Sequence, residues 1–289
     1  MYLVSFLETT PPAFIVVAIC LGLIVGSFLN VVIHRLPIML EREWQAHCAE
    51  LHGTTLAATE PYNLVVPRSR CPHCGHLIGA RENIPVVSFL LLRGRCRACA
   101  GRISPRYLVI EIISGVLSGW LAWHFGFGWP ALGALLLTWA LLALAAIDLE
   151  KQLLPDTLTL PILWLGLLFN LGHTFTDPRS ALIGAAAGYV SLWCVYHVFR
   201  LLTGKEGMGY GDFKLLAALG AWMGAWALLP VVLISSIVGA VIGSLYLALS
   251  RKSQSAPIPF GPYLATAGWL WLLAGPELTR WYLGFFMHG

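Results

Sequence analysis

The sequence predicts an all-α polytopic membrane protein of about eight transmembrane helices, with one small polar insert between the first and second. Three observations lead there. Of 289 residues, 58% are hydrophobic and only 11% charged, whereas soluble domains carry about 25% charged residues. Apolar stretches of about 20 residues, the length that crosses a hydrocarbon core as a helix, recur along the chain. The insert, in contrast, is rich in arginine and carries two Cys-x-x-Cys pairs.

Taken in order, the expected spans are residues 13–33, 107–125, 130–147, 157–173, 180–201, 213–228, 229–250 and 262–284. The sixth is short, and Pro230 blurs its boundary with the seventh. Before the first apolar run stands Glu8 and no Lys or Arg, so the basic region of a signal peptide is missing. No small-residue cleavage site follows Ala13 to Ile33, so that run is expected to be a permanent span. The 12 Trp and 9 Tyr suit interfacial belts as well as packing. Residues 34–106 are too long for a connector. The expected organisation is a first helix at 1–33, an insert domain at 34–106 and a membrane core at 107–289.

Orientation follows from basic residues. The insert holds ten of the 18, all Arg, and Lys151, Arg200, Lys205, Lys214, Arg251 and Lys252 fall on its side of an eight-span topology. Only Arg179 and Arg280 fall opposite. The insert is therefore expected in the cytoplasm. Its ten Arg against five Glu read as attraction to anionic lipid. No nucleic-acid partner is expected.

Cys71-Pro72-His73-Cys74 and Cys96-Arg97-Ala98-Cys99 are separated by 21 residues. Each pair can present two thiolates from one knuckle, and two knuckles complete a tetrahedral zinc site. Gly75 and Gly101 follow the pairs, where a tight turn needs a permissive backbone. Two disulfides are disfavoured in a reducing cytoplasm, and a redox role is less suited to two pairs at this spacing. Four thiolates leave no open position, so such a zinc is structural and stabilises a domain with little core of its own. His73 and His76 are substitute ligands in principle. Cys20, Cys48 and Cys194 read as apolar fillers or surface residues.

Ionisable residues are rare in the spans. Asp148 ends the third, Asp156 precedes the fourth, and Asp212 follows Gly207-Met208-Gly209-Tyr210-Gly211 at the start of the sixth. All three fall at the same membrane face and can converge. Two carboxylates sharing a proton can hydrolyse an amide, one as base and the other as acid. Asp156 and Asp212 also suit ordinary N-caps. The glycines before Asp212 allow close approach of a ligand, and Asp148 opposes the helix dipole, so neither is well explained as a cap alone. By the same dipole argument Asp212 is expected as base and Asp148 as holder of the shared proton. Ala217, Ala218, Gly220 and Ala221 in the sixth span and Ala143, Ala145 and Ala146 in the third are expected to let those two spans pack closely.

These motifs resemble the prepilin peptidase (type IV leader peptidase) family over nearly the whole chain. Gly26-Ser27-Phe28-Leu29-Asn30-Val31-Val32-Ile33-His34-Arg35-Leu36-Pro37 is similar to its N-terminal signature, and the cysteine pairs to its cytoplasmic zinc motif. Asp148 to Asp156 matches its Asp-x6-Pro-Asp pattern, with Asp148 in the catalytic place. Gly209-Tyr210-Gly211-Asp212 matches the GxGD motif, shared with presenilin-like proteases, and Pro259-Phe260-Gly261-Pro262 resembles their C-terminal proline motif. The resemblance implies an aspartic endopeptidase that cleaves prepilins or pseudopilins after a Gly at the cytoplasmic face. It also implies a place in the bacterial inner membrane and methylation of the new N-terminal amine with S-adenosylmethionine, in the service of type IV pili or type II secretion.

The methylation site is poorly marked, because no Gly-rich nucleotide fingerprint is present in the insert. Glu82, Gly94 and Glu111 are the expected cofactor-binding residues. A carboxylate would accept the proton that an α-amine, with a pKa near 8, must lose before attack. Each has a plain alternative: a solvated loop for Glu82, a turn for Gly94 and an interhelical hydrogen bond for Glu111. Asn30 at membrane depth is a further orienting group or simply an interhelical bond. Two rival functions are a transporter with a zinc-stabilised regulatory domain and a non-catalytic assembly factor. The first needs acidic groups near mid-bilayer, and the second does not need two aspartates.

Overall fold

The structure, a computed structural model, describes residues 2–54, 60–250 and 259–287. Among them are helices α1 (Tyr2–Thr9), α2 (Pro11–Leu51), α3 (Val87–Leu91), α4 (Pro105–Phe125), α5 (Trp129–Lys151), α6 (Asp156–Leu171), α7 (Pro178–Thr203), α8 (Tyr210–Met223), α9 (Leu228–Ser250) and α10 (Gly261–Met287). Pairing of extended backbone is limited, among the described residues, to two isolated bridges. The all-α class therefore holds. Among the described residues, five helical segments are long and apolar enough to cross a membrane: α2, α4, α5, α7 and Ala225–Leu245. These do not by themselves confirm the expected count of eight. The 14 residues of α8 reach only about 21 Å, short of a hydrocarbon core of about 30 Å. Arg251 and Lys252, used for the orientation argument, lie outside the described residues, as does the side chain of Arg280.

The chain forms two compact units, Met1–Ala131 and Leu132–Gly289. In the first, α2 does not end at residue 33 but continues to Leu51, 41 residues in all, with Pro37 inside it. Small residues bring α2 and α4 together. Gly26 lies so near that an added Cβ would stand 2.8 Å from the Glu111 Cα, and Ser114 Oγ donates to Gly22 O at 2.6 Å. The loop after α2 folds back through Arg35, whose guanidinium donates to Asn63 O (2.9 Å) and Pro67 O (2.6 Å).

In the second unit α8 is the central helix. From Phe213 to Trp222 nearly every side chain is buried. Its small face takes α7: Gly184 sits against Gly220, and Gly188 against Leu216 and Ala217, with no room for a Cβ. Gly220 and Ala217, two of the small residues named for packing on the third span, meet α7 here. Without a Cβ on either glycine, the backbones of α7 and α8 can approach closely. The other end of α8 is tied to α6. Asn170 Nδ2 donates to Ala221 O (2.8 Å) and Trp222 O (2.9 Å), and Trp222 Nε1 donates to Ile162 O (2.8 Å). Asn170 Oδ1 accepts from Phe175 N and Thr176 N, so all its hydrogen-bonding capacity is engaged within the bundle. Helix α5 is held to α10 by Trp269 Nε1 donating to Thr138 Oγ1 at 3.0 Å.

Candidate active site and metal centre

Asp148 lies in the last turn of α5 and Asp212 in the first turn of α8; both are buried. They line one cavity of about 530 Å³ in the second unit, together with Gly209, Gly211, Phe260 and Tyr263. The two carboxyls lie within electrostatic reach of each other. Asp148 Oδ2 accepts from Gly261 N at 3.0 Å. Asp212 Oδ1 is buried and has no hydrogen-bond partner, the mark of a group left for water or a ligand. Gly211 is pressed against Leu154, where an added Cβ would come within 2.7 Å. The glycines before Asp212 therefore serve close packing as well as access.

Neither Asp156 nor Asp212 is an N-cap. Pro155 and Gly209 hold those positions, and neither helix start has a side-chain cap. Asp156 instead meets Lys214 Nζ, which donates to both its carboxylate oxygens at 2.7 Å. This ion pair joins the start of α6 to the start of α8, two residues from Asp212. Sequence reasoning missed it, although both residues sit in the matched motifs. It also missed the Gly261 donor, whose Pro-Phe-Gly-Pro setting was the available signal.

In the first unit the sulfurs of Cys71, Cys74, Cys96 and Cys99 lie within 4.8 Å of one another. The Cys71–Cys99 and Cys74–Cys96 separations are 3.8 and 4.0 Å. A tetrahedral zinc with sulfurs at about 2.3 Å spaces them by about 3.8 Å, so the four fit the ion. Both knuckles close alike: Gly75 N donates to Cys71 O and Ala100 N to Cys96 O, each at 2.9 Å. Gly75 has φ +72°, as expected, but in the second knuckle Ala100 takes the positive φ, +56°. Gly101 is needed for space instead, since a Cβ there would stand 2.9 Å from the His73 ring. The N–H groups of Cys74 and His73 bring the Cys71 thiol down to about 7. Cys74, though eased by the His76 N–H, is pushed up to about 12 by desolvation and the neighbouring sulfurs. Four thiolates in this space need a cation between them. His73 and His76 are not among the clustered ligands. His76 Nε2 meets Glu82 Oε2 at 3.1 Å.

Glu82 and Glu111 line a second cavity, of about 560 Å³, wholly within the first unit. Glu82 also accepts from Gly79 N at 3.0 Å and lies 3.7 Å from Arg97. The Gly79 N–H and His76 hold its carboxyl below the ordinary range. Glu111 Oε2 accepts from Val86 N at 2.7 Å, a bond within the unit rather than the simple helix-to-helix contact. Gly94 is not part of the lining; its φ is +66°, and the ring of Phe89, which does line the cavity, crowds it.

Two family models match. Residues 20–125 match the bacterial peptidase A24 N-terminal domain, and residues 135–244 match the type IV leader peptidase family. The chain is similar to proteins named prepilin leader peptidase/N-methyltransferase. In Stutzerimonas stutzeri the identity is 56%, over 98% of both chains. In Pseudomonas aeruginosa it is 54% over 99% of both, and in Aeromonas hydrophila 60% over 92% of both. No solved structure matches.

Proposed function

The chain belongs to the type IV leader peptidase family, and from that premise we propose that it cleaves the leader peptide of prepilins or pseudopilins after a Gly and then N-methylates the exposed residue. The observation that carries the first activity is the shared cavity of Asp148 and Asp212, which stand 64 positions apart in sequence. One carboxylate takes a proton from water as its oxygen attacks the scissile carbonyl carbon. The other, protonated, gives its proton to the carbonyl oxygen. Collapse of the tetrahedral intermediate breaks the C–N bond, and the leaving amine is protonated.

Hydrogen bonding distinguishes the two groups. The Gly261 N–H orients Asp148, and Asp212 Oδ1 is the buried atom without a partner. Gly209 and Gly211 leave backbone accessible beside it, where an extended substrate can approach.

Leader cleavage at the cytoplasmic face, with residues 34–106 in the cytoplasm, is part of this reading. It is supported by the excess of basic residues in that segment. The same excess supports contact with anionic lipid headgroups. Zinc held by Cys71, Cys74, Cys96 and Cys99 fixes the two knuckles. It has a structural role, because no ligand position is left for substrate.

Methyl transfer needs S-adenosylmethionine, which supplies an electrophilic methyl group. Glu82 and Glu111, in one cavity of suitable volume, support its placement in the first unit. Gly94 then acts through the Phe89 ring it accommodates. The test is purified protein with a leader-bearing peptide, followed by mass spectrometry with and without S-adenosylmethionine. Loss of the leader mass in both samples and gain of one methyl only with the donor are expected. An unchanged peptide would overturn the reading.

A further inference from the structure

The cavity of the first unit has an unusual floor. Asn30 of α2 and Glu111 of α4 both line it, 3% and 8% exposed. Asn30 Nδ2 donates to Gly26 O (3.2 Å) and to Tyr107 O (3.0 Å), one turn before Glu111. Both amide protons are thus spent, and Oδ1 is buried without a partner. Glu111 Oε2 accepts from Val86 N. A buried acceptor left unsatisfied is rare enough to call for a ligand as explanation. Two acceptors lining one cavity, one of them a carboxylate, favour a ligand with a positive centre.

The loop over that floor is strained. Val86 has φ +61° and ψ −50°, and Val87 N donates to Pro85 O at 2.6 Å, closing a γ-turn at a β-branched residue. Such a conformation costs about 1–3 kcal/mol and persists where its surroundings enforce it, commonly at ligand sites. Glu111 enforces it by accepting from Val86 N, and the loop then delivers Ile84, Ser88 and Phe89 to the cavity. The rest of the lining includes cationic and aromatic groups. Arg68 and Arg97 belong to it with Tyr62, whose ring takes the Arg42 guanidinium at 4.4 Å.

We propose that Glu111 and Asn30 receive the sulfonium end of S-adenosylmethionine in this cavity. The inference rests on the methyl-transfer reading above and assigns the charged centre its partners. A sulfonium carries its charge on sulfur and the polarised C–H groups around it, which carbonyl and carboxylate oxygens favour. The arginines suit the α-carboxylate, and the Tyr62 and Phe89 rings suit the purine. A volume of about 560 Å³ accommodates a ligand of this class.

The discriminating pair is S-adenosylmethionine and S-adenosylhomocysteine, which differ by the methyl group and the positive charge. Calorimetry of the full-length, zinc-loaded protein in detergent measures both. Glu111→Gln is expected to weaken S-adenosylmethionine tenfold or more, about 1.4 kcal/mol, and S-adenosylhomocysteine by less than threefold. Ser27→Phe, at a lining residue of α2, is expected to abolish binding of both by filling the space. Zinc content and a monodisperse elution profile check that each variant is folded. Wild-type binding that neither variant alters would put the site elsewhere and overturn the inference. An equal loss of both ligands in Glu111→Gln would remove the charge-recognition role. If the wild-type protein bound neither ligand, the methyl-transfer reading itself would fall.

Discussion

Gly261 N donates to Asp148 Oδ2 at 3.0 Å across 113 positions of sequence. The start of α10 thereby orients the carboxylate at the end of α5, and contact is so close that a Cβ at Gly261 would stand 2.7 Å from that oxygen. Gly261→Ala should therefore displace the Asp148 carboxylate or the start of α10. A loss of leader cleavage of about 100-fold is expected, in line with misplacement of a reacting group by about 1 Å. Steady-state cleavage of a leader-bearing peptide measures it, and a wild-type rate would show that the contact does not orient the catalytic group.

The Asp156–Lys214 ion pair is partly exposed, with side-chain accessibilities of 53% and 27%. Pairs of this kind contribute about 1 kcal/mol or less. Asp156→Asn is thus expected to retain cleavage within about fivefold of the wild type, since one carboxylate oxygen's place is kept by the amide. Inactivity of Asp156→Asn in a folded protein would require Asp156 to replace one member of the pair.

The cysteine cluster should hold about one zinc per chain, because four thiolates complete one tetrahedral site. Cys71→Ser or Cys99→Ser is expected to release the metal and to expose residues 60–104 to proteolysis, read by metal analysis and limited digestion. Methyl transfer should fall at least as far as cleavage, since the first-unit cavity includes Cys71 and Cys96 in its lining. A metal-free protein with a protected insert would contradict the structural role.

Orientation can be read at Glu206, an exposed residue of the Asp148–Asp212 cavity. Glu206→Cys, in a zinc-loaded background lacking Cys20, Cys48 and Cys194, adds one thiol to the four clustered cysteines, whose own labelling is subtracted with the same background carrying Glu206. A membrane-impermeant maleimide should label it in inverted vesicles and not in intact spheroplasts. Labelling from the outer face would place the cavity on the wrong side for leader cleavage in the cytoplasm.

Much of this was legible in the sequence because the signals are local. The Cys-x-x-Cys spacing, the apolar runs and the glycines before Asp212 each state a nearby constraint, and the structure brings the cysteines and the aspartates together as expected. What was not legible depends on partners distant in the chain. The contact of α7 with the small face of α8 is one such case, because composition cannot say that Gly184 and Gly188 will meet Gly220 and Ala217. Asp156 looked like a cap because it precedes an apolar helix; only packing shows Lys214 beside it. The end of α2 was misjudged because charged residues after Arg35 mark where apolarity stops, not where helix stops. Glu111 could be an interhelical bond on sequence grounds, and its bond to the strained Val86 became visible only in three dimensions.

The most direct test is cleavage of a leader-bearing peptide by Asp148→Asn and Asp212→Asn, followed by mass spectrometry. Asparagine keeps the size and polarity but can neither accept the proton from water nor donate it to the carbonyl. Each variant is expected to lose cleavage by about 10²–10⁴-fold or more. Each should still methylate a peptide supplied with its leader already removed, which verifies that the protein is folded. Full cleavage by either variant would contradict the assignment of the two aspartates as the catalytic pair.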